Sequence, residues 1–236
     1  MNSTLKVAIV TGASQGIGAG LVQAFRERNY SVIATSRSIQ ASDDPGVLSI
    51  AGDIGSAETA KRVVAEGLER FGRIDTLVNN AGIFIAKPFT QYTESDLSSK
   101  IATNVAGFFH ITQAAVEAME RAGSGHVVSI TTSLIDHANV NVPSALASLT
   151  KGGLNAATRS LAIEYAARGI RFNAVSPGII KTSMHPPETH AALSALHPMG
   201  HMGEIGDIVD AVLYLESAAF VTGEILHVDG GQSAGH

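Results

Sequence analysis

The apolar residues of this chain fall in short β-branched runs that alternate with longer segments of helical periodicity. Short apolar runs bounded by polar turn residues predict strands that are buried on both faces. Seven strands are predicted in this way: Leu5–Thr11, Ser31–Ser36, Val47–Ile50, Ile74–Val78, His126–Thr131, Ile170–Val175 and Ile225–Val228.

Helices are predicted between these strands, where apolar residues recur at helical spacing. The predicted helices are Ile17–Arg28, Glu58–Phe71 (with Gly72 as its C-cap), Leu97–Arg121 and Ala145–Arg168. Regular alternation of buried strands and helices predicts an α/β protein with a doubly wound, seven-stranded parallel sheet covered by helices on both faces. Because no linker-like stretch or internal repeat divides the chain, we expect residues 1–236 to form a single domain.

Composition and charge narrow the functional classes. The 236 residues include no cysteine, which excludes a disulfide scaffold and a thiolate metal site and fits a reducing compartment. Sixteen basic against 21 acidic residues give no basic surface for nucleic acid. The first apolar run stops at Thr11 and Gly12, too early for a signal segment or a membrane span. We therefore expect a cytoplasmic protein that acts on a small molecule, without a nucleic-acid or membrane partner.

A nucleotide-binding pattern follows the first strand immediately. Thr11–Gly18 has the sequence TGASQGIG and leads directly into the first predicted helix. Gly12 permits a tight turn, Gly16 allows the backbone to approach a pyrophosphate, and Gly18 lets the helix pack closely on the strand. Since the unpaired N–H groups at a helix N-terminus attract anions, this segment predicts a dinucleotide site.

The end of the second strand indicates which dinucleotide is bound. NAD-binding proteins place a carboxylate there to bind the ribose 2′-hydroxyl. The segment Thr35–Ser38 contains no acid and instead carries Arg37, flanked by the hydroxyls of Ser36 and Ser38. An arginine can pair with a 2′-phosphate, so this segment predicts NADP rather than NAD.

Six motifs in order give the chain a resemblance to the short-chain dehydrogenase/reductase family over nearly its whole length. They are the Thr11–Gly18 pattern, the NNAG run Asn79–Gly82, Asn104 in the long helix, Lys151 in the helix after the fifth strand, Ser176–Thr182 (SPGIIKT) and Val228–Gly231 (VDGG). The resemblance implies a Rossmann fold, a nicotinamide cofactor and a homotetramer, with a homodimer as the alternative.

The resemblance also implies contacts with the cofactor. Asp53 is expected at the adenine edge, Asn80–Gly82 on the adenosine ribose side, and Lys151 at the nicotinamide ribose. The Ile180 backbone and Thr182 are expected to hold the carboxamide. With the glycine pattern and the Arg37 segment, the expected cofactor-binding residues are Gly12, Ser14, Gln15, Gly16, Ile17, Gly18, Ser36, Arg37, Ser38, Asp53, Ile54, Asn80, Ala81, Gly82, Lys151, Pro177, Gly178, Ile180 and Thr182.

The chain departs from the family at the proton donor. The family places a tyrosine four residues before the lysine, where both side chains face one side of the helix. Here that position is Ala147, and no tyrosine lies between Tyr92 and Tyr165. Tyr165 follows Lys151 near the far end of the same helix, where we expect it to pack or cap. An engineered replacement of a tyrosine by Ala147 is one alternative.

The catalytic candidates are Asn104, Lys151 and one hydroxyl, either Thr132 or Ser133. With the resemblance, they imply an NADP(H)-dependent oxidoreductase that transfers a hydride between NADPH and a small carbonyl or imine substrate in a tyrosine-free site. The proton could come from water held by Lys151 and Asn104 or from His137, or an iminium substrate could need none. The alternative is an NADP-binding protein without catalytic activity.

The least regular segment, residues 181–203, contains three prolines and four histidines. Since it follows the end of a strand, where ligands bind in such sheets, we expect it to form a lid over the substrate. Its histidines do not suggest a metal site, because Pro198 and Gly200 interrupt the spacing of His197 and His201 and no acid lies at the spacing of a zinc motif.

Overall fold

The computed structural model describes residues 5–235, whose strands form one seven-stranded sheet. The strands are β1 (Val7–Thr11), β2 (Ser31–Ser36), β3 (Val47–Ala51), β4 (Thr76–Asn79), β5 (Gly125–Ile130), β6 (Ile170–Pro177) and β7 (Ile225–Val228). Their spatial order is β3-β2-β1-β4-β5-β6-β7, and every neighbouring pair is parallel. The predicted fold class is confirmed. The chain reverses its direction of winding between β1 and β4, the point where ligands bind in open α/β sheets.

Seven helices connect or follow these strands in the described residues. They are α1 (Gly16–Glu27), α2 (Ala57–Phe71), α3 (Glu94–Lys100), α4 (Gly107–Ala122), α5 (Ala145–Tyr165), α6 (His190–Ser194) and α7 (Ile205–Ser217). Short 3₁₀ turns lie at Phe89–Gln91, Ser133–Ile135, Ala166–Arg168 and Pro187–Thr189. The long helix predicted over Leu97–Arg121 is therefore two α-helices, α3 and α4, joined by a π-helical segment at Ile101–Ala106.

The core lies on both faces of the sheet. In β1, Val7 and Ile9 join one buried cluster, with α2, α4 and α5, while Ala8 and Val10 join the other, with α1 and α7. Successive residues of a strand point to opposite faces, so a strand covered on both sides must be apolar at every position. This explains why the strands form continuous apolar runs in the sequence.

Helix α7 and the short helix α6 were not predicted from the sequence, and α7 is the longer of the two. Its buried residues Ile208, Val212 and Leu215 recur at helical spacing and pack in the cluster that also contains α1. A capping box begins the helix, in which the Glu204 backbone N–H donates to the Asp207 carboxylate at 2.8 Å. Both signals are present in the sequence and could have predicted the helix.

The amino end of the sheet is closed by a hydrogen-bond network around Glu216. Its carboxylate accepts from Tyr30 Oη at 2.8 Å, Thr76 Oγ1 at 2.9 Å and His126 Nδ1 at 2.8 Å. Burial alone would raise the pKa of Glu216, but these hydrogen bonds lower it to about 2. Buried polar side chains therefore fill this end, whereas the carboxyl ends of the strands border an open cleft. No helix among residues 5–235 is both long and apolar enough to cross a bilayer.

Candidate active site

A cleft of about 710 Å³ lies at the carboxyl ends of the strands, beside the point where the winding reverses. It is long enough to run from the end of β2 to the segment that follows β6. Of the site residues expected from the sequence, Gly18, Asn104 and Ser133 do not line it. The others do: Gly12, Ser14, Gln15, Gly16, Ile17, Ser36, Arg37, Ser38, Asp53, Ile54, Asn80, Ala81, Gly82, Thr132, Lys151, Pro177, Gly178, Ile180 and Thr182.

The glycine pattern forms the tight turn between β1 and α1. Gly12 and Gly16 have φ angles of +65° and +55°, which side chains other than glycine rarely adopt. Gly18 lies behind the turn: a Cβ there would be 2.2 Å from the Gly12 carbonyl oxygen and 2.7 Å from Asn80 Nδ2. Gly18 therefore acts through close packing of α1 on the turn and does not border the cleft.

The side chains of Thr11, at the end of β1, and of Asn80, directly after β4, hold this turn in place. The Thr11 hydroxyl oxygen accepts from the backbone N–H of Asn80 at 3.0 Å and of Ala81 at 2.9 Å. In return, Asn80 Nδ2 donates to the carbonyl oxygens of Thr11 at 2.9 Å and Gly12 at 3.2 Å. The NNAG run therefore fixes the glycine turn through hydrogen bonds, besides lining the cleft.

The end of the cleft at β2 is suited to a phosphate. Arg37 and Ser38 are exposed there, and residues 35–38 contain no acid. The Ser36 Oγ atom is buried without a hydrogen-bond partner among residues 5–235. Because a buried hydroxyl without a partner is costly, a bound group that accepts its hydrogen bond would stabilise this end. Asp53, beside Ile54, lines the same end and accepts from the Gly55 N–H at 2.9 Å.

The start of α1 leaves backbone donors available. Its N-cap residue is Gln15, whose side chain makes no capping hydrogen bond. The first N–H groups of a helix have no partners within the helix, so they can bind an anion. Together with the glycine turn and the Ser36 hydroxyl, these donors fit a dinucleotide that carries an additional phosphate.

At the other end of the cleft, Lys151 brings an amine from α5 to the end of β5. Its Nζ donates to the carbonyl oxygens of Thr131 at 3.1 Å and Ile130 at 3.3 Å. These bonds use two of the three N–H donors of an ammonium group. Burial, and secondly the positive charge of Lys100, lower the pKa of Lys151 to about 8.

The structure separates the two hydroxyls that the sequence left as alternatives. Thr132 lines the cleft, and its hydroxyl oxygen accepts from the Leu134 N–H at 3.4 Å. Ser133 is fully buried, and its Oγ donates to Gln232 Oε1 at 2.6 Å, outside the cleft. Thr132 is therefore the hydroxyl available to a ligand.

Asn104 is buried in the π-helical segment and does not line the cleft. Its Oδ1 accepts from the Ile83 N–H at 2.9 Å, and its Nδ2 donates to the Ile83 carbonyl oxygen and Thr150 Oγ1, each at 3.2 Å. The side chain thus connects the loop after β4 to α5 and fixes the backbone next to Gly82. π-Helical turns often occur at functional sites.

No tyrosine lines the cleft among the described residues. Ala147, one turn before Lys151 on α5, is fully buried. The Tyr165 ring lies 5.6 Å from that of Phe172 and packs against the core, and His137 does not line the cleft. The titratable side chains that border the cleft are Arg37, Asp53, Lys151 and His185.

The cleft is also lined by residues that were not predicted individually. They include Ile83, Phe84, Ala86, Leu134, Asn141 and Val142 and, within the predicted lid, Ser183, Met184, His185 and Leu193. Which of these residues face the cleft depends on how the loops fold, and no local motif indicates it. They give the cleft a largely apolar wall.

Residues 181–203 are held against the end of β6 by His197. The buried His197 ring accepts from the Ile179 N–H at 3.0 Å through Nε2 and contacts the Leu193 carbonyl oxygen at 3.1 Å through Nδ1. This histidine is thus committed to backbone partners. Across residues 5–235, no group of three or more His, Cys, Asp or Glu side chains is placed to hold a metal ion.

Several known proteins are similar to this chain in sequence and in fold. A family model described as enoyl-(acyl carrier protein) reductase matches residues 12–233. A 3-oxoacyl-(acyl-carrier-protein) reductase of Vibrio cholerae is 34% identical, and the match covers 98% of each chain. The solved structure of ElxO with NADP bound is 29% identical, has a TM-score of 0.90, and is matched over 98% of this chain and 100% of that one. A 3-ketoacyl-(acyl-carrier-protein) reductase of Brucella melitensis complexed with NADH is 27% identical, has a TM-score of 0.87, and is matched over 97% and 98% of the two chains.

The contact behind the glycine turn generates a prediction about stability. We expect Gly18→Ala to lower the free energy of unfolding by about 2 kcal/mol, because the added methyl overlaps the Gly12 carbonyl. Gly206→Ala is the matched control: it lies in α7 with nothing within 4 Å of its Cβ position, and it should be neutral or stabilising. Urea denaturation measures both, and equal effects of the two changes would contradict the packing role of Gly18.

Proposed function

Because the chain belongs to the short-chain dehydrogenase/reductase family, we propose that it is an NADP(H)-dependent oxidoreductase acting on a small carbonyl or imine substrate. The proposal includes an active site without tyrosine. The observation that carries it is one continuous cleft, with Arg37 and the unpartnered Ser36 hydroxyl at one end and the Lys151 amine at the other.

The coenzyme is held by this chain's own donors. Arg37, Ser36 and Ser38 bind the 2′-phosphate, and the first turn of α1 binds the pyrophosphate through backbone N–H groups. The lack of an acid at residues 35–38 favours NADP over NAD, as does the NADP complex of ElxO, although the Brucella relative binds NADH. When bound, the reduced coenzyme supplies a hydride to the substrate carbon.

The residues at the other end bind and orient the substrate. The Thr132 hydroxyl donates to the substrate oxygen, and the Lys151 ammonium places a positive charge where negative charge develops on that oxygen. Asn104 acts indirectly, since it fixes the Ile83 backbone beside the cleft. The apolar wall that includes Phe84, Leu134, Val142 and Met184 excludes water and favours a modest hydrophobic substrate.

We further propose that residues 1–236 act as one domain and that residues 181–203 are the substrate lid. Three observations on the lid segment support this role: Ser183, Met184 and His185 border the cleft, Leu193 of α6 does so as well, and His197 anchors the segment to the end of β6. A lid of this kind would set specificity by its folded shape.

A second candidate function is binding of NADP without catalysis. It is favoured by one observation, the alanine at position 147, because loss of a general acid costs about 10²–10⁴-fold in rate. The two candidates differ in whether the protein turns over NADPH. A binder should hold the coenzyme without oxidising it.

We propose that the protein is a homotetramer, with a homodimer as the alternative. The α3–α4 region exposes Ile101, Val105 and Phe109 at four-residue spacing, which forms an apolar stripe on its outer side, and α5 exposes Leu149 and Ile163. Apolar side chains of this size on adjacent helices favour burial against a second copy.

The phosphate-binding end yields a prediction about coenzyme choice. We expect Arg37→Ala to weaken NADPH binding by about tenfold or more, because a charge-assisted hydrogen bond to the 2′-phosphate is lost, while NADH binding changes little. Isothermal titration calorimetry with both coenzymes measures this. Arg28→Ala, at the end of α1 and outside the cleft, is the control. An equal loss of affinity for NADPH and NADH would contradict the assignment of Arg37 to the 2′-phosphate.

The proposed activity predicts oxidation of NADPH in the presence of a suitable acceptor. We expect absorbance loss at the NADPH band with at least one member of a panel of ketones, aldehydes and cyclic imines. Lys151→Ala should lower the rate at least about 100-fold, because the charge at the developing oxyanion is removed. NADPH binding without turnover across the whole panel would instead support the non-catalytic candidate, above all if Ala147→Tyr then acquires activity.

The apolar stripe of Ile101, Val105 and Phe109 predicts that copies of the chain associate. We expect sedimentation velocity at micromolar concentration to give a tetramer, and Phe109→Asp to give a smaller species, because a carboxylate would be buried in the interface. Phe89→Asp, at a residue 74% exposed in a loop, serves as the control and should leave the mass unchanged. A wild-type monomer, or an unaltered tetramer in Phe109→Asp, would overturn this proposal.

A further inference from the structure

Lys100, the last residue of α3, has a fully buried side chain that the proposed function does not use. Its Nζ has no hydrogen-bond partner among residues 5–235, and it lies 5.4 Å from the centroid of the Phe84 ring. A buried ammonium without a partner is costly, and a ring face compensates for only part of that cost. A methionine or leucine would fill the same position at lower cost, so the charge itself needs an explanation.

The packing of the helices places Lys100 behind the part of the cleft wall that Phe84 forms. The α3–α4 region and α5 pack on the same face of a parallel sheet and each connects consecutive strands, so they run in the same direction. Asn104 contacts Thr150 across the two helices at 3.2 Å. Four residues before Asn104, Lys100 Nζ lies 5.4 Å from the centroid of the Phe84 ring, and Phe84 and Lys151 both line the cleft.

Lys100 Nζ forms no hydrogen-bonded ion pair within residues 5–235. Asp96, the acid that acts on the pKa of Lys100, is itself bound to Lys87 Nζ at 2.7 Å and to the Thr93 N–H at 2.9 Å. Burial lowers the pKa of Lys100, and Asp96 only partly opposes that effect. Lys100 in turn acts on Lys151, whose own Nζ is bound to two neutral carbonyl groups.

We propose that Lys100 is a positioning residue whose buried charge makes the Lys151 amine the proton donor of the tyrosine-free site. The proposal rests on the proposed function. The coenzyme, when bound, would supply the hydride for the new C–H bond on the substrate carbon. The electron pair of the C=O π bond would then move to the substrate oxygen, which takes a proton from the Lys151 ammonium. One N–H bond breaks, one O–H bond forms, and the neutral amine is reprotonated by water.

The chemistry of the cleft favours Lys151 over the other donors that border it. With its pKa near 8, the ammonium predominates at neutral pH yet releases a proton readily, which is the condition for an efficient general acid. It also retains one N–H that its carbonyl partners do not use. Burial and the neighbouring His190 lower the pKa of His185, which disfavours the protonated ring that a proton donor requires. Thr132 can donate a hydrogen bond but cannot release a proton near neutral pH.

The test measures the pKa of Lys151 directly in the protein without coenzyme. Competitive labelling with acetic anhydride over a range of pH, followed by peptide mass spectrometry, gives the titration of each lysine. We expect Lys100→Met to raise the pKa of Lys151 by roughly one unit, because a nearby like charge is removed. Lys100→Arg keeps the charge and should keep the low pKa. Lys61→Met, an exposed lysine on α2, is the control for a general change of net charge.

The outcomes separate the inference from the proposed function. An unchanged Lys151 pKa in Lys100→Met would overturn the inference, whether or not the protein reduces any substrate. In a protein that turns over, the rate of reduction should fall above about pH 8 in the wild type, and this limb should move upward in Lys100→Met. If the fall in rate at high pH occurs at the same pH in Lys100→Met as in the wild type, the inference is also overturned. Lys100→Met replaces an unpaired buried charge with an apolar side chain, so we expect it to fold at least as stably as the wild type.

Discussion

The close approach of α1 to the turn after β1 is the contact on which the cleft depends. A hydrogen at Gly18, in place of any side chain, lets the helix approach the Gly12 carbonyl oxygen and the Asn80 amide. The Asn80 amide and the Thr11 hydroxyl then fix the turn from the side of β4. This packing aims the helix N-terminus, whose backbone donors are not capped by Gln15, into the cleft. Anion binding at this point therefore follows from backbone geometry more than from charged side chains.

At the opposite end of the cleft, the proposed chemistry depends on the positive charge of Lys151. The wall of the cleft is apolar there, and the hydroxyls of Thr132 and Ser133 point in different directions. The positive charge is the Lys151 amine, which donates only to carbonyl oxygens. A second amine, Lys100, lies behind that wall and has no hydrogen-bond partner in the described part of the chain. A buried amine on α3 and an amine that borders the cleft from the adjacent helix α5 form an unusual electrostatic environment. The stability lost by burying the second charge is explained if that charge changes how readily the first one gives up its proton.

The parts of the fold that the sequence predicted are those with strong local signals. Buried strands and the glycine pattern are encoded in consecutive residues, so their positions were predicted within a few residues. The break in the long helix at Ile101–Ala106 was not predicted, because a π-helical segment has no distinctive composition. Helix α7 was missed although its capping residues and apolar spacing are visible in the sequence. The roles of Asn104 and Ser133 depend on contacts with Ile83 and Gln232, which are distant in the chain and could not be inferred from local pattern.

Lys100 illustrates the same limit, since in the sequence it is one lysine of an otherwise ordinary helix, and only the packed structure reveals that it is buried.

The most direct test of the proposed site is a crystal structure of the protein with NADP and a bound carbonyl ligand. The account predicts that the ligand oxygen lies within hydrogen-bond distance of Lys151 Nζ and Thr132 Oγ1, with Ser36 and Arg37 on the 2′-phosphate. A tyrosine hydroxyl or the His185 ring in contact with that oxygen, in place of Lys151, would contradict it.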